Sequence, residues 1–169
     1  MRVVAFTGCL LLASLAHAQS ASGKPGLWDV TTHRTSVVSP KVAERLSERG
    51  IPMPPAGDVH VRVCMTAEKM KQELDRIQNV PAGCASTHRS ESSNRITAGL
   101  RCDPTPAMRV EVEYDFSWAK ANKRELTTKI VMSYPGVEGT AESSTRMVSR
   151  FVSADCGSVA PDTSVPIHP

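Results

Sequence analysis

Residues 108–118, MRVEVEYDFSW, alternate apolar and polar side chains along their whole length. A period of two places successive side chains on opposite faces, so this stretch predicts a β-strand with one dry and one wet face. The dry face carries Met108, Val110, Val112, Tyr114, Phe116 and Trp118. The wet face carries Glu111, Glu113 and Asp115, which we interpret as a solvated surface rather than an acid–base site.

Four further segments show the same alternation: residues 26–33, 59–63, 126–132 and 141–151. Strands that follow one another through tight turns, without regular βαβ alternation, predict an antiparallel sheet. We therefore expect a mainly β protein, built as a curved antiparallel meander that forms a partly closed, barrel-like sheet. A flat sandwich is the alternative.

Two helices are expected beside the sheet, one long and packed, the other short. The short helix begins at Ser39-Pro40, an N-cap followed by proline at the first helical position. The longer helix covers residues 66–78, and its apolar stripe consists of Met70, Leu74 and Ile77. Its polar residues, Glu73 among them, are expected to cover the remaining surface of the helix. We expect this helix to pack on the dry face of the sheet.

The N-terminal segment predicts export. One positive residue precedes an apolar run over residues 3–15, and residues 16–18, AHA, match the small-x-small pattern of signal peptidase sites. We expect a signal peptide over residues 1–18, cut after Ala18, then a flexible leader over residues 19–23. The protein is then periplasmic. No transmembrane segment is expected in the mature chain, because the apolar run is shorter than the roughly 20 residues that cross a bilayer.

The mature chain is one domain by length, expected to span residues 24–156. It carries nineteen basic and seventeen acidic residues, which are interspersed, so its net charge is about +2. Because nucleic-acid surfaces need a clustered basic patch, we do not expect nucleic acid as a partner. Residues 157–169 hold three prolines and few apolar side chains, and a disordered tail is expected there.

The spacing of two cysteines predicts a hairpin disulfide. If Cys84 faces Cys102, the hairpin closes through a three-residue loop over residues 92–94. The third residue of such a loop is left-handed, a conformation that asparagine tolerates. The same register sets Glu91 opposite Arg95, a pair of opposite charges. Both features favour a Cys84–Cys102 disulfide.

The remaining mature cysteines, Cys64 and Cys156, are then left to each other. Thiols of exported proteins pair, and the mature chain has neither a C-x-x-C motif nor paired metal-ligand spacing. We therefore interpret all four cysteines as structural.

Imidazole and thioether side chains that would suit copper are present, namely His33, His60, His88, Met53 and Met65. The three histidines are isolated in the sequence, so we predict no metal site and no cofactor. The sequence also lacks the H-E-x-x-H and G-x-S-x-G motifs, a phosphate-cradling glycine loop and a dinucleotide fingerprint. We expect a non-catalytic protein.

Several short motifs occur in the order found in one known family. They are KPGLWDV at residues 24–30, a Met/Pro loop near Pro52, VCMT at residues 63–66 entering a helix, Gly83-Cys84 before a hairpin to Cys102, and Asp155-Cys156. From Lys24 to Cys156 the chain resembles the exported bacterial family catalogued as domain of unknown function 3617. The resemblance implies an envelope location and a small β-rich domain, and it transfers no activity and no functional residue.

Two functions remain. In the first, the domain binds a small apolar ligand or lipid within its curved sheet, and the cavity is lined by Trp28, Tyr114, Phe116 and Met132. In the second, the core is filled, Trp28 plugs its end, and the surface contacts another envelope component as a structural or interaction module. An interior volume of roughly several hundred Å³ favours the ligand.

Overall fold

The computed structural model describes residues 23–52, 55–119 and 122–167. The expected signal peptide, the leader before residue 23, and Met53 lie outside these residues. The elements in chain order are β1 (Gly26–Val38), α1 (Pro40–Glu48), β2 (Gly57–Met65), α2 (Ala67–Gln78), β3 (Cys84–Ser92), β4 (Arg95–Thr105), β5 (Met108–Ala119), β6 (Lys123–Ser133), β7 (Ala141–Ser153) and β8 (Ser164–Pro166).

The strands of the described residues form one antiparallel sheet of eight, in the order β3-β4-β5-β6-β7-β1-β2-β8. Five consecutive strands, β3 to β7, form a meander, and β1 pairs with the last of them. The prediction of a mainly β, antiparallel protein with two helices is confirmed. The sheet is not closed, because β3 and β8 form its two edges.

The alternation read from the sequence places one set of side chains on a single face, which we call the inner face. Phe116 of β5 lies opposite Leu126 of β6, which lies opposite Met147 of β7. Trp28 of β1 lies opposite Phe151 on the same face. Both helices pack here, so the opposite face of the sheet is the polar one.

Helix α2 begins where the sequence predicts. The Thr66 hydroxyl accepts a hydrogen bond from the Lys69 amide at 3.1 Å. Met70 is buried against Trp28. At the other end of the helix, Arg89 of β3 donates to the carbonyl of Gln78 at 3.3 Å. The helix therefore crosses the inner face from the β1–β2 side to the β3 edge.

Helix α1 covers another part of the inner face. Its residues Val42 and Leu46 are buried, and they pack against Tyr134 and Ala141. No helix in the part of the chain that the structure describes is long and apolar enough to span a membrane.

The two predicted disulfides are confirmed. Cys84 and Cys102 face each other on β3 and β4, with their Cα atoms 4.0 Å apart. Cys64 and Cys156 are joined across 92 positions of the sequence, with their Cα atoms 5.4 Å apart. The two bonds lie beyond opposite ends of α2, because Cys64 precedes the helix and Cys84 follows it.

The predicted loop of the β3–β4 hairpin is wrong by one residue. Ser92 pairs with Arg95, so two residues rather than three close the hairpin, and Glu91 lies opposite Ile96 instead of Arg95. The register shifts between Ser86 and His88, which places one extra residue on β3. This bulge explains why the cysteines still face each other.

The predicted loop geometry also fails at its third position. Asp162 is the one non-glycine residue with a positive φ among those the structure describes, so Asn94 is not left-handed. Glu91 forms its ion pair with Arg89, at 2.9 Å, and the Arg95 side chain binds Asp115 of β5.

The expected disorder of residues 157–169 is also corrected. Residues 164–166 form β8 on the edge of β2, and Val159 is buried. The Asp162 carboxylate accepts a hydrogen bond from the Thr66 hydroxyl at 3.0 Å, at the start of α2. The Cys64–Cys156 bond holds this segment beside β2, where its backbone pairs with an otherwise open strand edge. Residues 168 and 169 lie outside the described residues.

Candidate functional site

A cleft of about 260 Å³ separates α2 from the inner face of the sheet. Its apolar wall consists of Met70, Leu74, Ile77, Phe116, Leu126 and Met147. Its polar lining consists of Glu73 and Arg76 of α2, Tyr114, Arg124 and Ser149. Arg76 and Tyr114 also line an adjoining, more open pocket beside Val80 and Pro81. The cleft is therefore mainly apolar, and it adjoins this more open pocket beside the C-terminal turn of α2.

Arg124 is the unusual residue of this cleft. It lies on β6, opposite Ser149 of β7, and only 5% of it is exposed. Because serine is small, the arginine side chain extends over β7, and its guanidinium lies 4.6 Å from the centre of the Trp28 ring on β1. Its Nη2 donates to the Met65 sulfur at 2.8 Å. The face of the aromatic ring stabilises a cation that burial removes from water.

Glu73 of α2 faces this arginine from above. Its Oε2 lies 3.6 Å from Nη1 of Arg124. Burial raises the pKa of Glu73, and Arg124, Lys69 and Arg76 oppose that rise. Burial likewise lowers the pKa of Arg124, opposed by Glu73, but a guanidinium keeps its charge. The cleft thus holds a permanent cation beside a carboxyl group that takes up a proton more readily than in water.

A family model described as "Protein of unknown function (DUF3617)" matches residues 23–156. That span includes all four paired cysteines, both helices and the whole lining of the cleft. The chain belongs to this family. No curated protein and no solved structure gave a significant match. The family membership fixes the domain type, and the chemistry has to be argued from the cleft itself.

The four residues predicted to line a cavity occupy three different places. Tyr114 and Phe116 line the cleft. Trp28 is fully buried beside Arg124 and lies outside the lining, and its Nε1 donates to the Lys24 carbonyl at 3.0 Å. Met132 lies in the other cluster, against the residues that α1 buries. The structure therefore brings two of the four into one cleft.

Sequence reasoning missed the polar residues of the cleft, although a signal for each was present. Arg124 has the same strand parity as Leu126, so extending that alternation by one step turns it inward. Glu73 was expected on the polar surface of the helix, yet it is three positions after Met70 and lies on the buried side. In both cases the charge of the residue suggested a solvent-facing position that the periodicity contradicted.

The structure does not bring the three candidate histidines together. His33 binds Asp58, and His60 lies 3.3 Å from the Thr31 hydroxyl, both on β1 and β2. His88 lies at the far edge of the sheet, on β3. Met65 contacts Arg124 instead of a histidine. Within residues 23–52, 55–119 and 122–167, no group of three His, Cys, Asp or Glu residues is placed to hold a metal ion.

Proposed function

We propose that the protein is an exported, non-catalytic domain that binds a small, mainly apolar molecule in the cleft between α2 and the sheet. One observation carries the proposal: about 260 Å³ of space lies against a wall of six apolar side chains. An apolar guest would remove that wall from water, at roughly 25 cal/mol per Å² of buried apolar surface. Arg124 and Ser149 lie opposite each other among the polar lining residues, as in sites where a few placed polar groups orient a ligand.

Export is supported by two independent features. The first eighteen residues have the pattern of a signal peptide. Two disulfides join the four remaining cysteines, and such bonds persist in oxidising compartments. The proposed location is therefore the periplasm. The non-catalytic assignment is supported by the lack of a catalytic motif in the sequence.

Native mass spectrometry of protein released from the periplasm without detergent tests this proposal. We expect a bound mass above that of the chain with two disulfides. Leu74→Trp, which places a larger side chain in the cleft, should remove the bound mass. Val37→Trp adds the same ring at a position that is 72% exposed and serves as the control, which should keep it.

Two outcomes would contradict the proposal. The first is the unliganded mass alone in repeated wild-type preparations, which would instead favour a structural or interaction module. The second is a bound mass that persists in Leu74→Trp protein shown to be folded by circular dichroism, because the molecule would then lie elsewhere.

A further inference from the structure

We propose that the ligand is a single-chain amphiphile with a carboxylate head, and that Arg124 and Ser149 receive this head at the floor of the cleft. This inference rests on the proposed function, since it names the chemical class of the molecule bound under α2. The apolar wall would contact the acyl chain.

The position of Arg124 within an apolar cleft is the first argument. Trp28 and Met65 contact the guanidinium but do not line the cleft, so they hold it from the side away from the ligand. Arg124 itself lines the cleft, next to Ser149, with which it shares a register position. A guanidinium fork and a hydroxyl together offer the donors that a planar carboxylate accepts.

The charges around the floor are the second argument. Three cations act on Glu73, namely Arg124, Lys69 and Arg76, and Asp162 is the opposing carboxylate. With every group ionised, these five groups carry one net positive charge. A ligand with one negative charge lowers this excess whether Glu73 is ionised or protonated, whereas a cationic ligand would add to it.

The protonation of Glu73 is the third argument. A second carboxylate beside Arg124 would normally be repelled by the first. Burial raises the pKa of Glu73, so protonating this group to admit an anion costs less than protonating a solvated carboxylate. The incoming carboxylate then becomes the main counter-ion of Arg124, in a site where charge-assisted hydrogen bonds are strong.

The shape of the cleft sets the direction of the chain. Leu74 and Ile77 of α2 line the same cleft as Arg124, and Tyr114 lines both this cleft and the adjoining, more open pocket. The adjoining open pocket adds Val80 and Pro81 beyond that point. The head is thus deepest and the end of the acyl chain is nearest to solvent.

Isothermal titration with three probes that share a ten-carbon chain tests this assignment: decanoate, 1-decanol and decyltrimethylammonium. We expect decanoate to bind about tenfold or more tightly than 1-decanol, because one charge-assisted contact contributes at least that factor. The cationic probe should bind most weakly. Equal affinities of wild-type protein for decanoate and 1-decanol would overturn the head assignment and leave the proposed function standing. Failure of all three probes to bind would overturn both.

Variants locate the head. Arg124→Met keeps an unbranched side chain without the charge, so the preference for decanoate should fall towards one while 1-decanol binds as before. Arg124→Lys should keep part of the preference. Arg101→Met, an exposed arginine on the polar face, is the matched control and should change nothing. If Arg124→Met does not fold, Ser149→Ala is used instead, and it should lower the affinity for decanoate a few-fold while leaving that for 1-decanol unchanged. An unchanged preference in both folded Arg124→Met and Ser149→Ala proteins would place the head elsewhere.

Discussion

The two helices cover the same face of one sheet, but α1 buries an apolar cluster whereas α2 covers a cleft that contains a buried arginine. Beneath α1, Val42 and Leu46 pack against Tyr134 and Ala141, and Arg49, an arginine at the exposed end of this helix, lies over the Tyr134 ring. Beneath α2, the arginine belongs to the sheet itself and is buried. An arginine at the rim keeps its hydration, whereas one on the floor needs partners inside the protein.

The α2 region is also the one that covalent bonds hold. The Cys64–Cys156 bond precedes α2 and the Cys84–Cys102 bond follows it, while α1 has no disulfide among the described residues next to it. A helix that crosses a sheet above a cleft loses part of its packing area. Two cross-links near its ends limit how far it can separate from the sheet.

Removing the Cys64–Cys156 disulfide, which closes the longer loop, should produce the largest difference between the α2 and α1 regions. The double variant Cys64→Ala, Cys156→Ala should lose about 4–5 kcal/mol of unfolding free energy, against about 3 kcal/mol for Cys84→Ala, Cys102→Ala, because the closed loop is longer. Hydrogen exchange should show lost protection in α2 before α1. Equal loss of protection in both helices would contradict the idea that the bond serves the α2 region.

The next effect compares one buried residue beneath each helix. Trp28→Ala should cost about 3–5 kcal/mol, because it leaves a cavity and removes the ring that faces the Arg124 guanidinium. Leu46→Ala beneath α1 leaves only a cavity and should cost about 2–4 kcal/mol. Urea unfolding measures both, and Trp28→Phe, which retains a smaller ring, should fall between wild type and Trp28→Ala. A larger loss for Leu46→Ala would mean that the packing under α1 dominates stability.

Patterns that act over a few residues were predicted correctly. The alternation over residues 108–118 and the apolar stripe of α2 depend on local periodicity, and both follow the inner face as expected. The bulge near Thr87 depends instead on a partner strand. A Cβ atom at Gly99 of β4 would lie 2.5 Å from the His88 ring, so a larger residue opposite the bulge would force that side chain to move. The predicted register was inferred from the spacing of Cys84 and Cys102, and that spacing does not reveal the contact between Gly99 and the bulge.

Short-range sequence patterns could not predict the ordered tail or the polar residues of the cleft, and the reasons are related. Residues 157–167 have few apolar side chains that could pack against one another, but the disulfide at Cys156 holds them at the edge of β2. Arg124 lies in the cleft because its neighbour on β7, Ser149, is small. Its side chain can therefore cross β7 and reach the Trp28 ring on β1. These relations join strands that are far apart in the sequence, and periodicity within one strand does not report them.

The smallest expected effect is on the pH dependence of stability, which should have opposite signs for two carboxylates, Glu125 and Glu73. The hydrogen bond from Arg146 lowers the pKa of Glu125 on the polar face, whereas burial raises that of Glu73 from its ordinary 4.5. Glu125 therefore contributes stability above its unfolded pKa, and this contribution, at most about 1 kcal/mol, is lost as the pH falls through the folded value. Glu73 favours the folded state at low pH, and that contribution is lost as the pH rises above 4.5 towards its folded pKa.

Urea unfolding from about pH 3 to about pH 7 should therefore give slopes of opposite sign for two matched variants. Relative to wild type, Glu125→Gln should become less stable as the pH rises, because wild type gains an ionised partner for Arg146. Glu73→Gln should become relatively more stable over the same range, because the variant has no buried carboxyl to ionise. Slopes of the same sign would show that the attraction of Arg124 outweighs the burial of Glu73 and lowers its pKa, and the α2 region would then lose the feature that most distinguishes it from the α1 region.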